Sequence, residues 1–266
     1  MGRGRRRRRQ DWYTRDLDNA EFMLRVTRWF ASRWSRHDFD VGSVLLDYTR
    51  RLTAAGRNDD ALAALDEAIA IGRRHVHAKP LRYAPNLAAA LLMKAHLLAE
   101  LGHVDEALSS AEGAVAIYRT LVPGDQVRFE PILFAALTSV GFWRHQRGEF
   151  ETALPSFEEA AGLGRRLPPE RVADRAMALN NFGAVLQELG RSSDAVGPLE
   201  EAVAIRRRLA AEDAARYEAD LVASLRNLEQ TFSELGRYVE AVTVVDEIAA
   251  LSRRSGAPAE EEPDAV

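Results

Sequence analysis

Histidines and carboxylates are the residues of this sequence that could bind a metal ion or move a proton. Of the six histidines, only His75 and His77 lie close together, and they flank Val76 near the end of a predicted helix. Side chains two positions apart do not share a helix face, and no carboxylate stands at the spacing of a metal ligand. The sequence therefore predicts no metal site and no cofactor.

Patterns for nucleophilic catalysis and for nucleotide binding are also missing. The chain has no cysteine, which excludes disulfides, thiolate metal centres and cysteine nucleophiles. No serine lies in a nucleophile elbow, and the sequence Gly2-Arg3-Gly4 follows no strand, as a dinucleotide-binding turn would have to. The carboxylates recur on solvent-facing positions of amphipathic helices, where ion-paired surface explains them. We therefore expect the protein not to be an enzyme.

The arginine-rich start is the strongest charge feature of the chain. Residues 1–9 contain six arginines, and Trp12 and Tyr13 follow them. Basic residues beside aromatic rings are typical of nucleic-acid binding, although a disordered arm or a wrongly chosen start codon explains the same residues. The chain between the two charged tails carries 30 basic and 36 acidic residues, and a net negative body does not attract a polyanion. Nucleic acid is thus an alternative partner rather than the predicted one.

A repeated element extends over most of the chain after the arginine-rich start. Five glycines recur at intervals of 46, 46, 42 and 46 residues, each with an alanine five residues later and a leucine eleven residues earlier. The glycines are Gly56, Gly102, Gly148, Gly190 and Gly236. Just ahead of the leucines lies a row of arginines, namely Arg36, Arg82, Arg128, Arg171 and Arg216. A fixed period of this length indicates a helical array.

Each unit has the pattern of two helices. In the second unit, Pro85 is expected to open the first helix, and Gly102 is expected to end it in the left-handed conformation. Carboxylates then begin a second helix, which Arg119 closes. The run Arg206 to Arg208 is expected to close the corresponding helix of the fourth unit. The helix pairs are predicted at about residues 36–76, 82–121, 128–167, 171–209 and 216–254.

Small residues mark the positions where helices approach each other closely. Ala95, Gly141 and Gly183 occupy the same position in the first helix of the second, third and fourth units. A helix pair of this kind exposes an apolar face on either side and needs a neighbour to cover it. The sequence therefore predicts an all-α fold of stacked helix pairs without strands.

The repeat resembles the tetratricopeptide motif. The spacing of Leu179, Gly183, Gly190, Ala195 and Ala202 carries the resemblance, and the segment ALNNFGAVLQELGRSSDAVGPLEEAVAIRRRL is especially similar to the long repeats of kinesin light chains and of many actinobacterial proteins. The resemblance covers roughly residues 36–254. It implies an α-solenoid, a right-handed superhelix of about five helix pairs, which binds a protein or peptide in its concave groove and is not catalytic.

Groove residues follow from the same resemblance. The inner positions of the family, transferred to this chain, are Arg50, His96, Phe142, His145, Asn180, Asn181, Gln187, Arg226, Asn227 and Gln230. Asn181 and Asn227 match the asparagine that holds cargo peptide in related light-chain repeats. An amide offers a donor and an acceptor to a peptide backbone, and the two arginines could bind acidic groups. Exposed amides that bind only water are the alternative explanation.

The row of arginines is interpreted as structural rather than as a phosphate-binding ladder. Most members lie beside an aromatic residue, namely Phe39, Tyr83, Phe129 or Tyr217. A guanidinium in that position can stack on the ring or bond the terminal carbonyls of the preceding helix. We therefore expect these arginines to stabilise the repeats.

Both ends of the array differ from its middle. Residues 16–34, with Leu17, Phe22, Leu24, Val26, Trp29 and Phe30, are predicted to form a helix that covers the first unit. Residues 1–15 are predicted to be a disordered basic arm and residues 255–266 a disordered acidic tail. Since the proline, glycine and acidic residues after the last helix cannot pack on it, Val242, Val245, Ile248 and Leu251 are expected to leave a face open for a homodimer.

The predicted function is that of a cytoplasmic, non-catalytic scaffold that binds a protein or peptide. No apolar stretch reaches the length of a membrane span, so no membrane partner is expected. The alternatives are a nucleic-acid-associated protein and a regulatory subunit of a separately encoded signalling enzyme. The sequence leaves the identity of the partner open.

Overall fold

The computed structural model describes residues 17–29, 32 and 41–255, with side chains as far as Arg253. Helix α1 spans residues 17–29. The further helices are α2 (Val41–Ala54), α3 (Asn58–His75), α4 (Pro80–Glu100), α5 (Val104–Leu121), α6 (Gln126–Gln146), α7 (Phe150–Gly164), α8 (Val172–Glu188), α9 (Ser192–Glu212), α10 (Ala214–Glu234) and α11 (Tyr238–Ser255). The regular secondary structure of the described residues is entirely helical, as predicted.

Some helix ends differ from the predicted ones. Helix α4 begins at Pro80, so Pro85 lies inside it rather than at its start. Because Pro85 is still in the first two turns, most of the helix keeps its hydrogen-bond ladder. Helix α9 runs to Glu212, and Arg206 to Arg208 therefore lie before its last turn instead of closing it.

The five recurring glycines end the first helix of each pair in the same way. All five have left-handed backbone angles, with φ between 69° and 84°. In each turn the amide of the next residue bonds the carbonyl four residues before the glycine, for example His103 N to Leu98 O at 2.8 Å and Arg191 N to Leu186 O at 2.8 Å. This is the Schellman end of a helix, and the prediction for these glycines is confirmed.

The chain divides into two compact bodies, one up to Ala136 and one from Leu137 onwards. In the N-terminal body α2 packs on α3, and α4 packs on α2, α3 and α5. In the C-terminal body α8 packs on α7, α9 and α10, while α10 packs also on α9 and α11. The recurring leucines and alanines are buried in these contacts, with Leu45, Leu225, Ala61, Ala107 and Ala195 fully buried. Successive helix pairs thus share one core within each body.

Two of the small residues lie directly against a buried side chain of the paired helix. A Cβ added to Gly183 would come within 2.5 Å of Leu199 Cγ, and one added to Gly141 within 2.9 Å of the Phe157 ring. Both distances are shorter than van der Waals contact. The predicted close approach of helices at these positions is confirmed.

Helix α1 packs against the first helix pair, as predicted, but with fewer of its apolar residues than expected. Leu17, Ala20 and Leu24 are buried, and Arg28 pairs with Glu67 of α3. The prediction was wrong for Phe22 and Trp29, which are 57% and 56% exposed. They lie on the face of α1 opposite Leu17 and Leu24, because a helix turns by 100° per residue. Phe30, the basic arm 1–15 and the acidic residues from 256 onwards lie outside the described residues.

The row of arginines stacks on aromatic rings in three units. The guanidinium carbon lies 5.8 Å from the ring centre in Arg82 and Tyr83, 4.9 Å in Arg128 and Phe129, and 5.0 Å in Arg216 and Tyr217. Arg171 has no aromatic neighbour in sequence and pairs with Asp174 at 2.6 Å instead. Arg36 and Phe39 lie outside the described residues.

Replacing Arg128 by alanine is expected to lower the melting temperature by a few degrees. The cation–π contact with Phe129 is worth about 0.5–1 kcal/mol at an exposed site. Phe129 is buried and packs against Tyr118, so the arginine covers an edge of the core. Thermal unfolding followed by circular dichroism measures the change, and Arg128→Lys is expected to recover part of it. An unchanged melting temperature would contradict the structural role.

Candidate functional site

The predicted groove residues of the C-terminal body lie mostly on two neighbouring helices. Asn180, Asn181 and Gln187 are on α8, and Asn227 and Gln230 are on α10. We call these five residues the amide face. Helices α8 and α10 are the first helices of consecutive pairs and pack against each other, so the structure brings the two sets of amides together.

Hydrogen bonds across the two helices fix part of the amide face. Asn180 Oδ1 accepts from Ser224 Oγ at 2.8 Å and from Asn227 Nδ2 at 3.1 Å. Gln187 Nε2 donates to the Asn227 carbonyl at 3.1 Å. Asn180, Asn227 and Gln187 therefore have a structural role in addition to any contact with a ligand, because they hold α8 and α10 in register.

Asn181 differs from its neighbours on the amide face. It is half-buried, and no hydrogen bond to its side chain is found among the described residues. Gln230 lies further along α10, where it is exposed and donates to Glu234 at 2.9 Å. The amide atoms of Asn181 are not among the buried polar atoms without a partner, so a ligand can reach them without breaking a protein hydrogen bond. Asn181 is therefore the residue of the face that is best prepared to bind a ligand.

Apolar side chains are exposed on the first helices of the same body. Phe142, predicted as a groove residue, is 43% exposed on α6, and the ring of His145 lies 5.3 Å from that of Phe150. Met177 is also 43% exposed and precedes Asn181 by one helical turn, so both lie on the same side of α8. Sequence reasoning missed Met177, although its spacing of four residues from Asn181 was a usable signal.

The predicted residues of the N-terminal body lie together in a different cleft. Arg50 of α2 and His96 of α4 line a cavity of about 230 Å³ with Met93 and Glu100. Arg50 is paired with Asp47 of its own helix at 3.3 Å. Desolvation lowers the pKa of His96 below its ordinary value, and the nearby Glu100 carboxylate opposes the shift. The cleft thus favours a neutral imidazole.

Lowering the pH from 7.5 to 5 is expected to destabilise the wild type more than the His96→Gln variant. Since the pKa of His96 is lowered in the folded state, the unfolded chain binds a proton first as the pH falls. The stability that the neutral imidazole contributes is fully present above the unfolded pKa of about 6.5. It is lost as the pH falls from there through the lower pKa of the folded state. Urea unfolding of both proteins at the two pH values measures the difference. An identical pH dependence would contradict the assignment.

Arg226 and Arg206 lie at the last two helix pairs. Arg226 lines a cleft of about 930 Å³ between α9, α10 and α11, beside the ion pair of Arg207 and Glu247. Arg206 is buried, and its guanidinium donates to the Asp220 carbonyl at 2.7 Å and to Ser224 Oγ. Burial lowers the pKa of Arg206, against the attraction of Asp220. Arg206 therefore extends the hydrogen-bond network that begins at Asn180.

Metal binding and membrane insertion are the other functions that the described residues could show. No group of three histidine or carboxylate side chains converges in the part of the chain that the structure describes. His75 stacks on Tyr83, with 5.2 Å between the ring centres. None of the described helices combines the length and the apolar content that crossing a bilayer requires.

Comparison with protein families finds matches in both halves of the chain. Residues 133–208 match the tetratricopeptide repeat model. Residues 41–87 and 77–138 match the model of anaphase-promoting complex subunit 5. Among curated proteins, none is significantly similar in sequence.

Several solved structures are similar in fold. BtubC (BKLC) from P. vanneervenii has a TM-score of 0.64 at 20% identity, and the match covers 96% of each chain. A protein of Podosopora anserina assigned as a kinesin light chain with nearly identical TPR-like repeats has a TM-score of 0.56 at 22% identity, covering 79% of this chain and 94% of that one. MamA has a TM-score of 0.52 at 15% identity, covering 78% and 96%. Residues 133–208 thus match tetratricopeptide repeats, and the fold of the chain is similar to that of kinesin-light-chain-like repeat proteins.

Proposed function

We propose that the protein is a non-catalytic scaffold that binds an extended peptide segment of a partner protein on the amide face. Tetratricopeptide repeats typically mediate protein binding, and residues 133–208 match that family. The observation that carries the proposal is the half-buried amide of Asn181, which has no protein partner and lies on α8, a helix that hydrogen bonds fix against α10. A rigid frame reduces the cost of ordering the site when a ligand binds.

The chemistry of the face fits a peptide backbone better than a charged group. A carboxamide donates and accepts at once, as a backbone amide and its carbonyl require. Met177 on the same side of α8 supplies apolar contact for a peptide side chain. A flexible peptide loses much conformational freedom on binding, so we expect dissociation constants in the micromolar range.

Replacing Asn181 by alanine is expected to weaken binding of such a peptide at least tenfold. The peptide is obtained by selecting a displayed library of random peptides on the full chain, and its dissociation constant is measured by fluorescence anisotropy. The loss follows because one donor and one acceptor disappear while the peptide groups that paired with them stay desolvated. Asn181 is a cleaner probe than Asn227, which also bonds Asn180.

Gln126→Ala is the matched control, since Gln126 is an exposed amide at the start of α6 and outside the amide face. We expect this variant to bind the selected peptide like the wild type. Equal affinities of the wild type and the Asn181→Ala variant would contradict the assignment of the site. Equal weakening by both substitutions would contradict it as well.

A further inference from the structure

The last described helix has a partly exposed apolar face. Val242 and Val245 of α11 are 59% and 48% exposed, and Ala249 continues their row at helical spacing. Ile248 and Leu251 were expected on the same open face, but they pack instead on the core that α11 shares with α10. We call Val242, Val245 and Ala249 the end row.

The equivalent row in the preceding helix pair is buried. A shift of 46 residues places the end row on Val196, Leu199 and Val203 of α9. Leu199 and Val203 are 0% and 1% exposed, and both belong to one buried cluster with four residues of α10. These residues are Leu221, Leu225, Leu228 and Phe232. On α9 this row is buried between α8 and α10, whereas its counterpart on α11 is partly exposed.

The large cleft of the C-terminal body continues this face. Its α10 wall includes Ala215, Ala219, Val222 and Arg226, which follow helical spacing, and also the carboxylate of Glu218. The same shift places Val222 on Ala176, which is fully buried, and Arg226 on Asn180, which accepts two hydrogen bonds from α10. The cleft and the end row on α10 and α11 thus correspond to the surface of α8 and α9 on which α10 packs.

We propose that the end row and the adjoining cleft bind an amphipathic α-helix of a partner protein. The helix carries apolar residues with the spacing of Leu221, Leu225, Leu228 and Phe232 in α10. It also carries a carboxylate where α10 has Asn227, because the acceptor Asn180 is replaced by the donor Arg226 at this end. This surface is distinct from the amide face and does not depend on the proposed peptide site.

Other occupants fit the face less well. Residues 256–266 contain two prolines and no leucine, isoleucine or phenylalanine, so they lack the apolar row of α10. The homodimer predicted from the sequence would place two copies of α11 against each other. A two-fold contact centred on Val245 brings the exposed Asp246 of each copy toward the same axis. Like charges in that position oppose the pairing.

A synthetic peptide of residues 214–234 tests the proposal, because it reproduces the helix that covers the equivalent row. Its binding to the full chain is measured by fluorescence anisotropy, and we expect saturable binding. Val245→Asp in the chain is expected to weaken binding at least tenfold. Val239→Asp is the matched control on the same helix. Val239 is 83% exposed, and its counterpart on α9, Ser193, is exposed as well.

A second peptide, which carries Asn227→Asp, tests whether a carboxylate at this position pairs with Arg226. We expect it to bind at least threefold more tightly than the first, and we expect Arg226→Gln in the chain to abolish the gain. Circular dichroism checks that the variants fold. The proposal is overturned if neither peptide binds, or if Val239→Asp and Val245→Asp weaken binding equally. Self-association of the chain that Val245→Asp removes would assign the face to a second copy and overturn it too.

Discussion

Replacing Gly183 by alanine is expected to destabilise the C-terminal body by about 2–3 kcal/mol. The new methyl group would lie 2.5 Å from Leu199 Cγ, and Leu199 is fully buried among α8, α9 and α10. Because Leu199 is fully buried, the methyl group either forces the leucine out of its packed position or forces the two helices apart. The clash outweighs the gain of about 1 kcal/mol that alanine brings to a helix interior. Urea unfolding monitored by circular dichroism measures the free energy of unfolding.

Gly162→Ala is the matched control for this substitution. Gly162 lies in α7, is exposed, and has no atom within 4 Å of an added Cβ. We expect this variant to be unchanged or to be stabilised by up to about 1 kcal/mol. If the two glycine variants unfold at the same urea concentration, the close packing of α8 on α9 is not what stabilises this body.

Replacing Arg206 by alanine is expected to destabilise the same body by about 2–3 kcal/mol. The guanidinium is buried and donates to the Asp220 carbonyl and to Ser224 Oγ, and Ser224 in turn donates to Asn180. Its removal takes one donor away from the buried Ser224 hydroxyl and from the Asp220 carbonyl, and it removes a buried side chain from between α9 and α10. The measurement is again urea unfolding.

Arg208→Ala is the control for the loss of a positive charge from α9. Arg208 is exposed and follows Arg206 by two residues, so its removal changes the net charge by the same amount. We expect its free energy of unfolding to stay within about 0.5 kcal/mol of the wild-type value. Equal losses in the two variants would mean that charge, and not the hydrogen-bond network, accounts for the effect.

Local patterns made much of the fold predictable. The turn at Gly102 depends only on a helix end and on the residue that can adopt a left-handed conformation there, and both can be read from neighbouring residues. Leu45 and Leu225 are buried because a fixed period places them on the same face of each first helix. The close contact of Gly183 with Leu199 followed from the absence of a side chain at a matched position.

Contacts between distant residues were not predictable in the same way. Asn180 meets Ser224, which lies 44 residues further along the chain, and the sequence gives no sign of that pairing. Arg206 looked like one of three arginines that close a helix, but α9 continues to Glu212 and the side chain turns into the core. The exposed Phe22 and Trp29 were assigned to the wrong face of α1, because both of its faces carry apolar residues.

Photo-crosslinking of a selected peptide tests the central proposal most directly, because it locates the peptide on the molecule. A benzophenone amino acid replaces Met177 in one variant and Ala204 in another. Met177 shares the side of α8 that carries Asn181, and Ala204 is exposed on α9. We predict that the peptide crosslinks to position 177 and not to position 204. A crosslink at position 204, or equal labelling of both positions, would contradict binding on the amide face.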